Sequence, residues 1–309
     1  MCIFFCTFVL VMKLYPNCKI NLGLRIIRKR KDGYHDLETI FVPIYGLHDE
    51  LEVAKSTKYG VQNTDQITFT QEGIAVDCAA EDNLIVRCYH LLAAKYPSIG
   101  PVSIRFKKNI PFGAGLGGGS SDAAHMAIAL NELFQLHLTK EQLAAEVRLL
   151  GADCPFFIYN TPCYAEGIGD RLTPIPLDLS GIRIVLIKPD EGVSTREAYS
   201  GITRHPEVEG QIKSVLCQAK PVSLLSGKAD LFANDFEETV FPLHPIIADL
   251  KKHLLDAGAF YASMSGSGST VFGLFKNDPE GRTDINLRVL KQQFASMILI
   301  DDTFGEWKA

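Results

Sequence analysis

The sequence predicts an α+β fold in two domains. Strand-like and helical patterns intermix along the chain without the strict strand–helix–strand alternation of a doubly wound sheet. The length, 309 residues, is about two domains' worth at roughly 150 residues each. Hydrophobic residues make up 47% of the chain and charged residues 22%, ample apolar material for buried cores and too much for a disordered chain. The expected boundary lies near residue 160, dividing 12–160 from 161–309.

The elements follow in order. Residues 1–12 read MCIFFCTFVLVM, apolar except Thr7. The run is shorter than the roughly 18 residues that span a bilayer. No basic region precedes it and no small-residue cleavage site follows it. The expected reading is that translation starts at Met12 and that residues 1–11 are an extended gene start, with an extra apolar strand or an anchor as the alternative. In residues 18–27, Cys18, Ile20, Leu22 and Leu24 alternate with Lys19, Asn21 and Gly23, which predicts a strand with one apolar and one polar face. Asp32-Gly33 is a turn signal, and strands are expected at 37–45, 48–54 and 66–70. Asn83 opens a helical pattern that Pro97 ends, and 102–107 reads as a strand. A Gly-rich loop, 113–119, runs into a helix over 121–135, and Thr139 with Gln142 forms a capping box for a further helix stopping at Gly151. Beyond 160, strands at 163–166 and 182–188 are followed by helical patterns at 195–201, 207–217 and 245–257. A Ser/Gly-rich stretch, Ser263 to Ser269, then lies between a helix and the strand Thr270–Phe275.

The formal net charge is −5, which argues against broad nucleic-acid binding. The eight cysteines are scattered, with no CxxC pair and no zinc spacing. Without a secretory signal they read as free thiols filling cores in a reducing compartment, and the expected location is cytoplasmic. No membrane partner is expected.

The most informative stretch is Pro111-Phe112-Gly113-Ala114-Gly115-Leu116-Gly117-Gly118-Gly119-Ser120-Ser121-Asp122. Five glycines in seven residues leave backbone N–H groups bare for close approach to an anion. The helix start that follows adds unpaired N–H groups and a positive dipole end. Ser120 and Ser121 could cap that helix or offer hydroxyls to phosphate or metal. Positions 113, 115 and 118 satisfy the dinucleotide pattern G-x-G-x-x-G, but two helices follow instead of a second strand ending in an acid. A Walker A loop would need Lys after the last glycine, and Ser120 stands there. A phosphate cradle without its own lysine fits best, its missing positive charge coming from a metal ion or from elsewhere in the chain.

Here the sequence resembles the central motif of the GHMP kinase superfamily, whose named members phosphorylate galactose, homoserine, mevalonate and phosphomevalonate. Pro16-Asn17-Cys18-Lys19-Ile20-Asn21-Leu22 is similar to that superfamily's first motif, with Cys18 in place of a small Ala. Met264-Ser265-Gly266-Ser267-Gly268-Ser269 resembles its third. Asp32-Gly33-Tyr34-His35, Glu81-Asp82-Asn83-Leu84-Ile85, Gly151-Ala152-Asp153-Cys154-Pro155-Phe156-Phe157 and Ala165-Glu166-Gly167-Ile168-Gly169 resemble one branch, whose substrate carries a diphosphocytidyl group. The matching segments run from Pro16 to about Phe275 in the same order, and residues 1–11 have no counterpart.

The resemblance implies the two-domain GHMP kinase fold: a ribosomal-protein-like N-terminal ATP-binding domain and a ferredoxin-like α/β-sandwich C-terminal domain, with substrates in a cleft between them. It implies ATP and Mg2+ as cofactors and phosphoryl transfer to the 2-hydroxyl of a diphosphocytidyl methylerythritol in isoprenoid precursor biosynthesis. Phosphoryl transfer asks a protein for positioning, charge neutralisation and a way to handle the hydroxyl proton. On context alone, Asp153 reads more readily as a loop aspartate satisfying backbone N–H groups than as a base; the resemblance implies that it is the catalytic base. Lys19 on a strand reads as solvated surface or, with Asn21 on the same face, as part of a polar cluster. The resemblance implies a catalytic lysine beside the aspartate, with Asn21 a substrate contact. Tyr34 and His35 could be hairpin surface. The resemblance implies that His35 bonds the cytosine edge and Tyr34 stacks on its face, with Tyr199 on the other side and Thr195 also at the substrate. Residues 111–121 would hold the triphosphate. Arg28-Lys29-Arg30-Lys31 reads as a solvated hairpin tip, with a minor role in attracting an anionic substrate as the alternative. No carboxylate pair marks a metal site.

Overall fold

The structure is a computed structural model, which describes residues 10–56, 67–75, 79–202, 204–216, 225, 230–276 and 282–304. The apolar stretch 1–9 and Cys2, Cys6, Cys78 and Cys217 lie outside the described residues. The chain forms two compact units, and it passes between them more than once. The first comprises residues 1–17, 48–111 and 118–159; the second comprises 18–47, 112–117 and 160–309. Grouped by compactness, then, the segment after Asn17 and the first half of the Gly-rich loop go with the residues after 160.

The first unit is built on a four-stranded sheet in the order β1-β4-β6-β5, made of β1 (Val11–Leu14), β4 (Glu50–Lys55), β5 (Ile67–Gly73) and β6 (Val102–Lys108). β4 runs antiparallel to β1 and β6, whereas β5 and β6 are parallel. Parallel neighbours need a crossover, and α1 (Leu84–Lys95) supplies it. The Asn83 Oδ1 caps α1 by accepting from the Ile85 N–H at 2.9 Å. In α2 (Gly118–Leu133), Ala123, Ala124, Ala127 and Ala129 are all fully buried, as expected of a central helix that needs small side chains for close approach. It packs on α1, on β4 and on α4 (Cys154–Tyr159). The capping box at Thr139 and Gln142 is present at the start of α3 (Lys140–Val147).

The second unit holds two sheets. One is ordered β2-β3-β7-β8, from β2 (Asn17–Lys29), β3 (His35–His48), β7 (Cys163–Glu166) and β8 (Arg171–Pro174). The turn between β2 and β3 contains Gly33 at φ +91°. The other sheet, β10-β11-β9-β12, comes from β9 (Arg183–Ile187), β10 (Tyr261–Met264), β11 (Val271–Phe275) and β12 (Ile298–Thr303). Its neighbouring strands β10–β11, β11–β9 and β9–β12 all pair antiparallel, and the chain order strand–helices–strand–strand–helix–strand is that of a ferredoxin-like split βαβ sheet. Between these strands run α5 (Thr195–Ser200), α6 (Gln211–Leu216), α7 (Glu237–Leu243), α8 (Pro245–Asp256) and α9 (Arg282–Phe294). Leu24 and Ile26 of β2 share one apolar core with Val185, Ile187, Phe236, Leu250, Met264 and Val271.

Four details differ from the sequence reading. Both faces of β2 are buried through Ile27, so its polar face is an internal polar layer. α2 starts at Gly118, which places Ser120 and Ser121 inside its first turn; neither occupies the capping position. The Ser/Gly-rich stretch joins two strands, β10 and β11, where a helix had been expected before it. At the hairpin tip, Arg28 pairs with Asp36 and Glu209, and Arg30 with Asp32 and Asp36, so half of the basic run is locally neutralised.

Candidate active site

The internal layer of β2 sets the first group of side chains. Lys19 is only 3% exposed, and burying an ammonium is costly unless acceptors surround it. Its Nζ donates to Asn21 Oδ1 at 2.7 Å and to the Gly115 carbonyl at 3.2 Å, and it lies 5.1 Å from the centre of the Phe41 ring. Two residues apart on a strand means the same face, which is how Lys19 meets Asn21. Asn21 is held in turn: its Nδ2 donates to Thr39 Oγ1 at 3.0 Å, and Thr39 donates to the Gly23 carbonyl. The lysine is therefore aimed by a relay that crosses from β2 to β3.

Residues 112–117 close over this group. The Lys19 N–H donates to the Leu116 carbonyl at 2.9 Å, so the loop is tied to β2 through backbone as well as side chain. Ser265 Oγ donates to the Gly115 carbonyl at 3.0 Å, and the Thr270 N–H reaches the Ala114 carbonyl at 3.3 Å. Gly115 has φ +74°, and a Cβ there would lie 2.0 Å from the Ser265 carbonyl oxygen. At Gly113, φ is +63° and a Cβ would meet nothing within 4 Å, so that part of the loop faces open space. Ala114 and Leu116 point inward and are buried, whereas Phe112 is 69% exposed. The Ser/Gly-rich stretch is braced from behind: Asn234 Nδ2 donates to the Met264 and Gly266 carbonyls at 2.7 and 2.8 Å. Glu237 Oε1 accepts from the Met264 N–H at 2.8 Å.

In the first unit, Gly118 opens α2. A methyl there would come within 2.9 Å of Ile110 Cγ2 and 3.0 Å of Lys108 Nζ, so glycine is required by packing. Lys108, Asp49 and Asp122 form a buried ion triad, Lys108 Nζ lying 2.5 Å from Asp49 Oδ2 and 2.8 Å from Asp122 Oδ2. Asp49 also accepts the Asn109 and Ile110 N–H groups. Burial lifts the Asp122 carboxyl well above the ordinary carboxylate range, against the pull of Lys108. Asp153 lies directly before α4, its carbonyl accepting the Phe156 N–H at 3.2 Å. Cys154 beside it is buried, and burial pushes its thiol up to about 12, so it is no nucleophile.

The second unit also contains Tyr34, His35, Thr195 and Tyr199. The His35 and Tyr199 rings stack with centroids 4.8 Å apart and planes 20° apart. Phe236 meets Tyr199 edge-on at 4.7 Å. Burial, with Lys29 and Arg204 nearby, holds the His35 imidazole below its ordinary pKa, so it is neutral at pH 7 and offers one donor and one acceptor. Thr195 Oγ1 lies 3.4 Å from Ser267 Oγ, which brings α5 to the Ser/Gly-rich stretch. Tyr34 stands apart from the stacked pair in exposure, 61% accessible at the hairpin. Among the described residues, no three His, Cys, Asp or Glu side chains are grouped to hold a metal ion. Also among them, no helix is long and apolar enough to cross a membrane. Sequence reasoning passed over Asn234 and Glu237, whose contacts lie about 30 residues along the chain and leave no local pattern.

Comparison with known proteins bears on this geometry. The family model "GHMP kinases N terminal domain" matches residues 83–161, and "GHMP kinases C terminal" matches 217–286. A 4-diphosphocytidyl-2-C-methyl-D-erythritol kinase of Bacteroides thetaiotaomicron is 49% identical over 268 residues, covering 86% of this chain and 92% of the relative. The enzyme of that name from Bacteroides fragilis is 49% identical over 263 residues, covering 84% and 91%. The chain belongs to the 4-diphosphocytidyl-2-C-methyl-D-erythritol kinase family of GHMP kinases. A crystal structure of a 4-(cytidine 5'-diphospho)-2C-methyl-D-erythritol kinase superposes with a TM-score of 0.70 at 31% identity, covering 93% of this chain and 96% of that one. The GHMP kinase fold and the α+β class expected from the motifs are thus established, and the chain is an ATP-dependent phosphotransferase with an alcohol group as acceptor.

Proposed function

We propose that this kinase transfers the γ-phosphoryl group of MgATP to the 2-hydroxyl of 4-diphosphocytidyl-2-C-methyl-D-erythritol, giving the 2-phosphate in the cytoplasmic synthesis of isoprenoid precursors. The observation that carries the reading is the buried Lys19 ammonium held between Asn21 and the carbonyl of Gly115. One cation is thereby fixed both to Asn21, on the acceptor side in this reading, and to the loop that would carry the donor.

In this reading, residues 12–160 form the ATP-binding domain and 161–309 the C-terminal kinase domain. Pro111 opens the loop, and Phe112 to Ser121 supply bare N–H groups and the α2 N-terminus to the triphosphate, with Gly113 on its open side. Magnesium enters with the nucleotide and neutralises phosphate charge. Asp153 orients the acceptor hydroxyl and accepts its proton as the new P–O bond forms and the bond to ADP breaks. Lys19 offsets charge on the transferred group, and Asn21 orients the acceptor. His35 pairs with the cytosine edge, and Tyr34 and Tyr199 supply aromatic faces. Thr195 adds a hydroxyl contact. Stacking of this kind contributes about 1–3 kcal/mol per base. The reading requires no nucleic acid and no membrane.

A coupled ADP-release assay tests it. Wild-type protein should release ADP only with the cytidyl substrate present, and Asp153→Ala and Lys19→Ala should each lower kcat at least a hundredfold. Full kcat in Asp153→Ala would refute the assignment of the base.

A further inference from the structure

His244 is the residue between α7 and α8, and its backbone is fixed at both ends. Its N–H donates to the Val240 carbonyl at 2.8 Å, and its carbonyl accepts the Ile247 N–H at 3.0 Å. The ring, 17% exposed, projects between two carboxylates from a different part of the chain. Nδ1 lies 2.9 Å from Glu191 Oε2, and Nε2 lies 3.3 Å from Glu197 Oε1. A neutral imidazole has one N–H and can serve only one of these acceptors. An imidazolium serves both. Glu191 raises the imidazole's pKa, outweighing the opposite effect of burial, and Glu197 adds to it.

Both carboxylates belong to the segment that carries the expected substrate contacts. The Glu191 carbonyl accepts from Ser269 Oγ at 2.6 Å, at the end of the Ser/Gly-rich stretch. Glu197 is in α5 between Thr195 and Tyr199. Its N–H is capped by Ser194 Oγ at 3.1 Å. An isolated six-residue helix is unstable in water, so α5 depends on tertiary contacts for its position. Ala198 supplies a buried apolar one, and His244 supplies a polar one on a rigid mount.

The geometry points to His244 as a positioning residue for the kinase reaction: as an imidazolium it latches the 191–197 segment to the α7–α8 junction and so holds Thr195 and Tyr199 toward the acceptor substrate. This inference rests on the reading of Thr195 and Tyr199 as substrate contacts. It assigns His244 no part in the chemistry, so its loss should act on acceptor binding and leave the donor side alone.

The test combines kinetics with a measurement that needs no substrate. In His244→Ala, the acceptor KM should rise about tenfold while kcat and the ATP KM stay within twofold. His244→Arg, which keeps a cation with several donors, should restore the acceptor KM to within threefold of wild type. Without ligands, amide hydrogen exchange in residues 191–200 should quicken at least tenfold in His244→Ala and stay unchanged in the first unit's sheet. Where His244→Ala does not fold, Glu197→Gln weakens one contact from the exposed side and should give a smaller rise in the acceptor KM alone. An unchanged acceptor KM, a parallel loss of kcat, or unchanged exchange in 191–200 would each overturn the latch. A wild-type protein inactive on the cytidyl substrate would overturn the functional reading instead, and exchange in 191–200 would still decide whether His244 holds α5.

Discussion

Ser265 and Gly115 stand 150 residues apart in sequence, and the Ser265 hydroxyl donates to the Gly115 carbonyl at 3.0 Å. That carbonyl is the one that also accepts the Lys19 ammonium. One loop oxygen therefore joins three separate motifs of the chain. Substituting Ser265→Ala removes one of its two donors and should cost about 1 kcal/mol of stability. It should also lower kcat, because Lys19 then shares a less firmly placed acceptor. Urea unfolding beside steady-state kinetics checks both effects, and unchanged values in both would show the contact to be incidental.

The two loop glycines should respond differently to the same change. Gly115→Ala puts a methyl 2.0 Å from a backbone oxygen at positive φ, so the loop must move. Strain and overpacking together should cost roughly 3 kcal/mol or more. Gly113→Ala meets nothing within 4 Å and carries only the left-handed backbone penalty of about 1 kcal/mol. It should fold, but the methyl would face the space proposed for the triphosphate and raise the ATP KM at least tenfold. An ATP KM unchanged in Gly113→Ala would contradict the phosphate cradle.

The triad beneath α2 should be sensitive to the loss of its cation. Lys108→Met leaves Asp49 and Asp122 buried without a counter-charge, which should cost about 3–5 kcal/mol. Asp122→Asn should cost less, because Asp49 still pairs with Lys108 and keeps its two backbone donors. Denaturant midpoints of the two variants give the comparison, and equal midpoints would refute the ordering.

His125 gives a pH dependence whose sign is fixed by burial. The ring lies inside α2, where Nδ1 donates to the Ser121 carbonyl at 2.8 Å, and burial holds its pKa below the ordinary 6.5. The unfolded chain therefore binds the proton more readily. The contribution to stability is complete above 6.5 and is lost as pH falls from there toward the folded pKa, by up to about 1.4 kcal/mol per pH unit. His125→Gln should show a shallower fall in urea midpoint between pH 7.5 and 5.5 than wild type. Parallel slopes would contradict it.

What the sequence made legible was what local pattern encodes. Alternation put Lys19 and Asn21 on one strand face, and five glycines marked the loop. The caps at Asn83 and Thr139 located two helix starts. Elements with no period escaped. α4 is six residues, mostly buried, and shows no helical stripe. β8 is a short, mostly exposed edge strand ending in Pro174. The contacts of Ser265, Asn234 and His244 are set by tertiary placement, so nothing within their own segments announces them.

Phosphorus NMR of a reaction mixture containing wild-type protein, MgATP and 4-diphosphocytidyl-2-C-methyl-D-erythritol tests the central claim most directly. The account predicts a new phosphomonoester resonance appearing in step with ADP, while the diphosphate resonances of the cytidyl group persist. ADP accompanied only by inorganic phosphate, or no change in the ATP resonances, would contradict it.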